Sequence, residues 1–252
     1  MAELMTEAVI LRSFPSGESD QMVLLFTRER GKVRALAKGA KRSKRRFMNC
    51  LDDWGLVQAG LAAKTDLDRI RLDSCRLIVR PDLSARPLLL GLGGLMTELT
   101  GLFSPEMEPD QVLFRSLTTC LLALPQSPAP VSLGLAFAFR LLRQAGFGPN
   151  LETCLKCGRP LEELKGGWFT PETGGLICHR CRPGPFRISL GGLKTIRLCQ
   201  QMEPLALTRI RFPAVDEKAL LKPVGGYLSY FAGREIKSLS FLNRWKGRED
   251  GG

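Results

Sequence analysis

The chain has 252 residues, 44% of them hydrophobic and 25% charged, which suits one large domain or two to three small ones and excludes a wholly disordered protein. No stretch approaches the roughly 18 to 20 apolar residues that span a bilayer, because the most apolar one, Pro87 to Leu102, is broken by four glycines and Glu98. The lack of such a run predicts no membrane-spanning segment, and lysine and arginine exceed aspartate and glutamate by a net charge of +12, a balance that predicts an anionic partner.

Met1 to Ser13 carries Glu3 and Glu7 with no basic start and no small-residue cleavage site, so a cytoplasmic location is expected. The basic charge lies at the two ends of the chain, around a nearly neutral stretch from 81 to 150. Residues 1–80 read as short strands. Met22 to Thr27 is a compact apolar run, Arg28 to Gly31 a polar turn, and Lys32 to Lys38 alternates, with Val33, Ala35 and Ala37 opposite Lys32, Arg34 and Lys38. Arg69 to Asp73 alternates again. Short strands punctuated by Gly31, Gly39, Gly55 and Gly60 suit a small closed barrel of the OB type.

The densest charge cluster follows the alternating run, where Lys38, Lys41, Arg42, Lys44, Arg45 and Arg46 put six cations in nine residues. Like charges this close repel, which predicts an extended, mobile loop until phosphates neutralise it. Such a loop tracks a nucleic-acid backbone with little regard for base sequence; a solvated surface loop is the other reading. With Lys32 and Arg34 beside it, the cluster supplies the candidate DNA contacts. Phe47 and Trp54 have the chemistry to stack on bases, although aromatics in a small barrel more often fill its core, the place favoured for Trp54.

Residues 81–150 read as packed helix, in segments Leu88 to Leu102, Asp110 to Leu124 and Val131 to Ala145, separated by prolines and closed by Gly146. Residues 151–185 hold Cys154-x-x-Cys157, twenty intervening residues and Cys178-x-x-Cys181. That spacing lets two turns close a tetrahedron of thiolates around one Zn²⁺, with Gly158 after the second sulfur suiting the tight turn. A redox pair of CxxC motifs or four core thiols are the alternatives. Cys50, Cys75, Cys120 and Cys199 stand alone in apolar surroundings as core thiols.

A closed four-thiolate site has no open position for water, so the zinc is expected to be structural and the protein not an enzyme. No phosphate loop or deaminase pattern occurs, and the lone histidine, His179, falls between two cysteines. Residues 186–252 return to helix: Ser189 to Gln201, then Asp216 to Phe231 with a break at Pro223 and Gly225-Gly226, then Glu235 to Trp245. Lys194, Arg197, Arg209, Arg211, Lys218 and Lys222 add charge that solvated helix faces explain as well as a binding track does. The fold class is therefore α+β and multidomain: an N-terminal OB-type β-barrel, an α-helical body, and a four-cysteine zinc ribbon inserted in that body and projecting from it.

Barrel, helical body and ribbon in this order resemble the RecO family of bacterial DNA repair proteins. The residues that carry the likeness are Glu18-Ser19-Asp20 leading into Leu24 to Thr27, then Gly31-Lys32-Val33 and Ala37 to Ser43. It continues through Gly146 to Leu151, the Cys157-Gly158 knuckle, Lys237-Ser238 and Phe241-Leu242, so it spans nearly the whole chain. The resemblance implies a nucleoid-associated recombination mediator that binds single- and double-stranded DNA and anneals complementary strands. It also implies partners: RecR, in some cases RecF, the acidic C-terminal tail of single-stranded DNA-binding protein (SSB), and RecA indirectly. An apolar groove for that tail is expected on the helical body at Phe137, Phe139, Arg140 and Arg143, although the paired arginines of some relatives are missing here. The alternative is a zinc-ribbon scaffold or regulator that binds nucleic acid without annealing it; a thiol-dependent enzyme built on Cys178-His179-Arg180-Cys181 is the third.

Overall fold

The computed structural model describes residues 2–43, 45–63 and 70–242, with nothing said of the side chains of Ala2, Glu3, Ala63 and Lys218. Strands β1 (Ala2–Ser16), β2 (Asp20–Thr27), β3 (Gly31–Ala37), β4 (Leu56–Ala63) and β5 (Arg71–Val79) close a barrel in the order β1-β2-β3-β5-β4. All pairings are antiparallel except β3 with β5. Alternation on β3 sends Val33, Ala35 and Ala37 inward, where they meet Ala8, Ile10, Val23 and Leu25.

β1 and β4 left no alternating signature in the sequence, and β1 shows why. Ala8 and Ile10 fill the barrel, while Val9 and Leu11 on its outer face are equally buried, against the helical body. A strand covered on both faces reads as an unbroken apolar run.

The body consists of α1 (Pro87–Phe103), α2 (Gln111–Ala123), α3 (Pro130–Gln144), α4 (Leu190–Gln201) and α5 (Ala214–Ala232), with residues 237–242 helical beyond them. Local chemistry sets the starts. Asp110 accepts from Leu113 N–H and Ser189 from Gly192 N–H as N-caps, while α1 and α3 begin with proline, whose missing N–H has no partner to lose there. The break expected at Pro223 is absent, since α5 runs through it. Among the described residues no helix is long and apolar enough to cross a membrane.

Three short strands, β6 (Gly166–Trp168), β7 (Ile177–Cys178) and β8 (Ile188–Ser189), form a sheet between α3 and α4 in the order β7-β6-β8. This segment does not project. Cys154, Phe169, Cys178 and Ile188 belong to the same core as α3, α4, α5 and the outer face of the barrel, and Phe169 packs edge-on against Phe139 and Tyr227. Its sheet is too small to bury an apolar face alone, so it shares the body's core.

Two glycines let the parts approach. At Gly91 a Cβ would lie 2.4 Å from Leu242, and at Gly31, held at φ +62°, it would lie 1.8 Å from the carbonyl oxygen of Glu108 in the α1–α2 connection. Gly31→Ala is therefore expected to lower stability by about 2 to 4 kcal/mol, measured by urea unfolding, because the barrel must part from that connection. An unchanged urea midpoint would show that this approach is not tight.

Candidate nucleic-acid interface and metal centre

The basic loop leaves β3 at Ala37 and is pinned at its base. Gly39, at φ +64°, points its N–H at Asp20 Oδ1 (2.8 Å), and a 3-10 turn at Ala40–Arg42 follows. Lys41 donates through its backbone to Ser19 and through Nζ to Gly17, both at 3.0 Å. Arg46 turns back to the Lys38 carbonyl at 2.9 Å and lies over the Phe47 ring, 5.1 Å from its centroid, while its own carbonyl accepts from Cys75 on β5. The loop expected to be extended is thus a folded one, because backbone carbonyls absorb two of its cations. Lys38, Arg42 and Arg45 remain exposed, and their side chains have no hydrogen bond or ion pair among the described residues. Lys44 lies outside the described residues.

Asp20, which charge and spacing alone did not single out, closes this loop. Its carboxyl is held below the usual carboxylate range by the Gly39 N–H first and the Ser19 hydroxyl second, against a smaller opposing effect of burial. A depressed folded-state value contributes stability above the unfolded value, near 3.8, and that contribution is lost as pH falls through the folded value. Exchange of the Gly39 amide is therefore expected to accelerate, beyond its intrinsic pH dependence, as pH drops below about 4, and Asp20→Ala should reproduce the loosening at neutral pH. Equal Gly39 protection in the variant would contradict this.

Two of the expected contacts face elsewhere. Lys32 donates from Nζ to the Gly101 carbonyl at 3.0 Å, and burial pushes its ammonium down, with Glu106 opposing. It is a pin between barrel and α1 and is corrected from the open-surface role expected of it. Arg34 is exposed, on the side turned toward the body. Phe47 is buried in the barrel core, so its ring is closed to bases, whereas Trp54 is half-buried against the body at φ +70°.

The groove expected on α3 is not formed by its aromatics. Phe137 and Phe139 are 1% and 0% exposed, because α3 is covered on nearly every side from Ser132 to Phe139. Arg140 is half-buried, with Nη1 donating to the Gln200 carbonyl at 3.0 Å, and Arg143 is exposed.

The four ribbon cysteines meet. Their sulfurs all lie within 4.8 Å of one another, with Cys157 and Cys178 Sγ 3.9 Å apart. A tetrahedron with metal–sulfur bonds of about 2.3 Å has edges of about 3.8 Å, so the spacing fits one metal ion. The donor set fits too. Burial raises the Cys154 thiol, but the N–H groups of Cys178, Cys157 and Lys156 outweigh it and bring it down to about 6, whereas Cys157 and then Cys178 push Cys181 up to about 12. Sulfurs this close resist joint deprotonation until a cation screens them. His179 is half-buried beside them, with Nε2 unpartnered among the described residues. Cys50, Cys75, Cys120 and Cys199 are all buried thiols.

The family described as Recombination protein O N terminal matches residues 1–77, and that described as Recombination protein O C terminal matches residues 86–240. The chain belongs to the RecO family. Its similarity to the DNA repair protein RecO of Syntrophobacter fumaroxidans is 35% identity over 247 residues, covering 95% of this chain and 96% of that one. The RecO of a Nocardioides species is 31% identical, covering 94% and 98%, and that of Syntrophus aciditrophicus 29%, covering 94% of each. The boundary between the two RecO matches falls where β5 gives way to α1.

Proposed function

We propose that this RecO-family protein is a DNA repair and recombination mediator that binds single- and double-stranded DNA and anneals complementary strands. With RecR, and RecF where it is used, it promotes loading of RecA on strands coated by SSB. The observation that carries the reading is the exposed trio Lys38, Arg42 and Arg45 on a folded loop at the barrel rim, and Arg34 and Lys44 are proposed as further contacts. Cations fixed in this way offset the repulsion between two phosphate backbones, while the absence of base-specific readout lets complementary bases find one another. Annealing of this kind consumes no nucleotide.

The metal is proposed to be one Zn²⁺ held by Cys154, Cys157, Cys178 and Cys181 in a structural role, since four thiolates complete its coordination. Of the residues expected to serve the acidic SSB tail, Arg143 is the exposed cation, and the buried Phe137 and Phe139 back the helix that carries it.

Competition between DNA and RNA of one sequence, naked and coated with cognate SSB, tests the reading. A mediator binds DNA in both states. Preference for RNA, or exclusion from coated DNA, would instead indicate the nucleic-acid scaffold that anneals nothing.

A further inference from the structure

A cleft of about 440 Å³ opens where the barrel meets the helical body, between the outer face of β1 to β3, α1 and the start of the last helix. That volume is in the range of small-ligand sites, roughly 300 to 1,000 Å³. Arg12 and Arg34 enter it from the barrel, Arg234 and Lys237 from the far side, and Trp54 lines it. All four cations are exposed. Among the described residues, Arg12, Arg34 and Lys237 form no ion pair through their side chains, and Arg234 has only a 3.9 Å approach to Glu98.

The carboxylates present are committed to backbone. Asp53 accepts from Ser13 N–H at 3.0 Å, and Glu98 accepts from the N–H groups of Lys237 and Ser238 at 3.0 and 2.8 Å. The cleft is therefore net cationic, with Arg12, Arg34, Arg234 and Lys237 set against Asp53 and Glu98. Trp54 holds a left-handed backbone that bulky residues rarely adopt, fixed by its N–H to the Ile10 carbonyl at 2.9 Å.

We propose that this cleft, with Arg12, Arg34, Arg234 and Lys237 around Trp54, is a second binding segment for single-stranded DNA, so that one strand is held by the barrel and the helical body together. Continuity selects this occupant. Asp53 and Trp54 also line a more open recess of about 500 Å³ that reaches Ala40 and Phe47, at the basic loop. A strand leaving the loop cations meets a cationic cleft with an indole for a base to stack on.

The proposal rests on the DNA-binding reading, and its test separates the two. Single-strand affinity and salt slope are measured for the full chain, for the triple alanine variant of the cleft at Arg12, Arg234 and Lys237, which leaves Arg34 in place because it is also a contact proposed for the loop surface, and for an alanine variant at Lys38, Arg42 and Arg45. The probes are an oligothymidylate covering one OB-fold site, about 4 to 16 nucleotides, and another twice that length. The cleft variant is expected to bind the longer strand at least tenfold more weakly, with a slope reduced by up to about 0.7 per cation removed, and the shorter strand within twofold of wild type. Trp54→Asn, which tolerates the left-handed backbone, should abolish quenching of tryptophan emission by the longer strand.

If the cleft variant binds the longer strand like wild type while the loop variant fails, the cleft is off the DNA path and the loop stands. Wild-type binding by both variants would sink the DNA surface and the cleft together. Loss of oligo-aspartate binding in the cleft variant with both DNA isotherms unchanged would make the cleft a peptide site and overturn the proposal.

Discussion

Metal-free protein, or the Cys154→Ala variant, is expected to lose about 4 kcal/mol or more of stability, and to lose it across the helical body. Structural zinc sites supply folding free energy directly, because the unfolded chain holds no preformed site. Here the centre is continuous with the rest of the molecule. Cys154 and Cys178 lie in one core with Phe139, Phe169, Ile196 and Tyr227, so loosening the knuckles uncovers α3, α4 and α5. Guanidinium unfolding should show one cooperative loss, reported both by Trp168 in the ribbon and by helical circular dichroism, with one metal per chain in the starting protein. Metal affinity should also fall as pH drops, because every ligand must be a thiolate. Coincident unfolding curves for the metal-free and metal-loaded proteins would contradict this, and loss confined to the Trp168 signal would mean that the ribbon is a separate unit.

The second large effect is on DNA. Alanine at Lys38, Arg42 and Arg45 is expected to weaken single-strand binding by more than tenfold at about 100 mM salt and to flatten the dependence of log affinity on log salt by about two. The thermal midpoint should barely move, since these exposed side chains hold no partner among the described residues. Arg46→Ala separates shape from charge. Its guanidinium closes the loop on the Lys38 carbonyl, so removing it should loosen the loop and weaken binding beyond one cation's share. Loop-variant isotherms that superimpose on wild type would remove the barrel rim from the DNA surface.

The parts legible in the sequence were those set by short-range chemistry. The CxxC spacing and the alternation of β3 depend on neighbours within a turn or a strand, and the ends of α1, α2 and α3 fall within a residue of expectation because prolines and Asp110 punctuate them. What stayed hidden was set by distant partners. Lys32 looks like a surface cation until Gly101, far along the chain, accepts from it. β1 lost its alternation because the body covers its outer face, and the position of Phe137 and Phe139 on a helix does not reveal that both sides of α3 are covered. Like-charge repulsion within the loop predicts mobility, but the carbonyls of Gly17 and Lys38 take up two of its cations and Asp20 and the Ser19 carbonyl pin its backbone.

The most direct test of the central claim is annealing of two labelled complementary strands, each coated with cognate SSB, in the absence of nucleotide. Pairing accelerated by the wild-type chain at moderate salt, and lost when Lys38, Arg42 and Arg45 are alanine, is the predicted result. Coated strands that never pair, although the protein binds them when naked, would leave a DNA-binding protein and contradict the mediator.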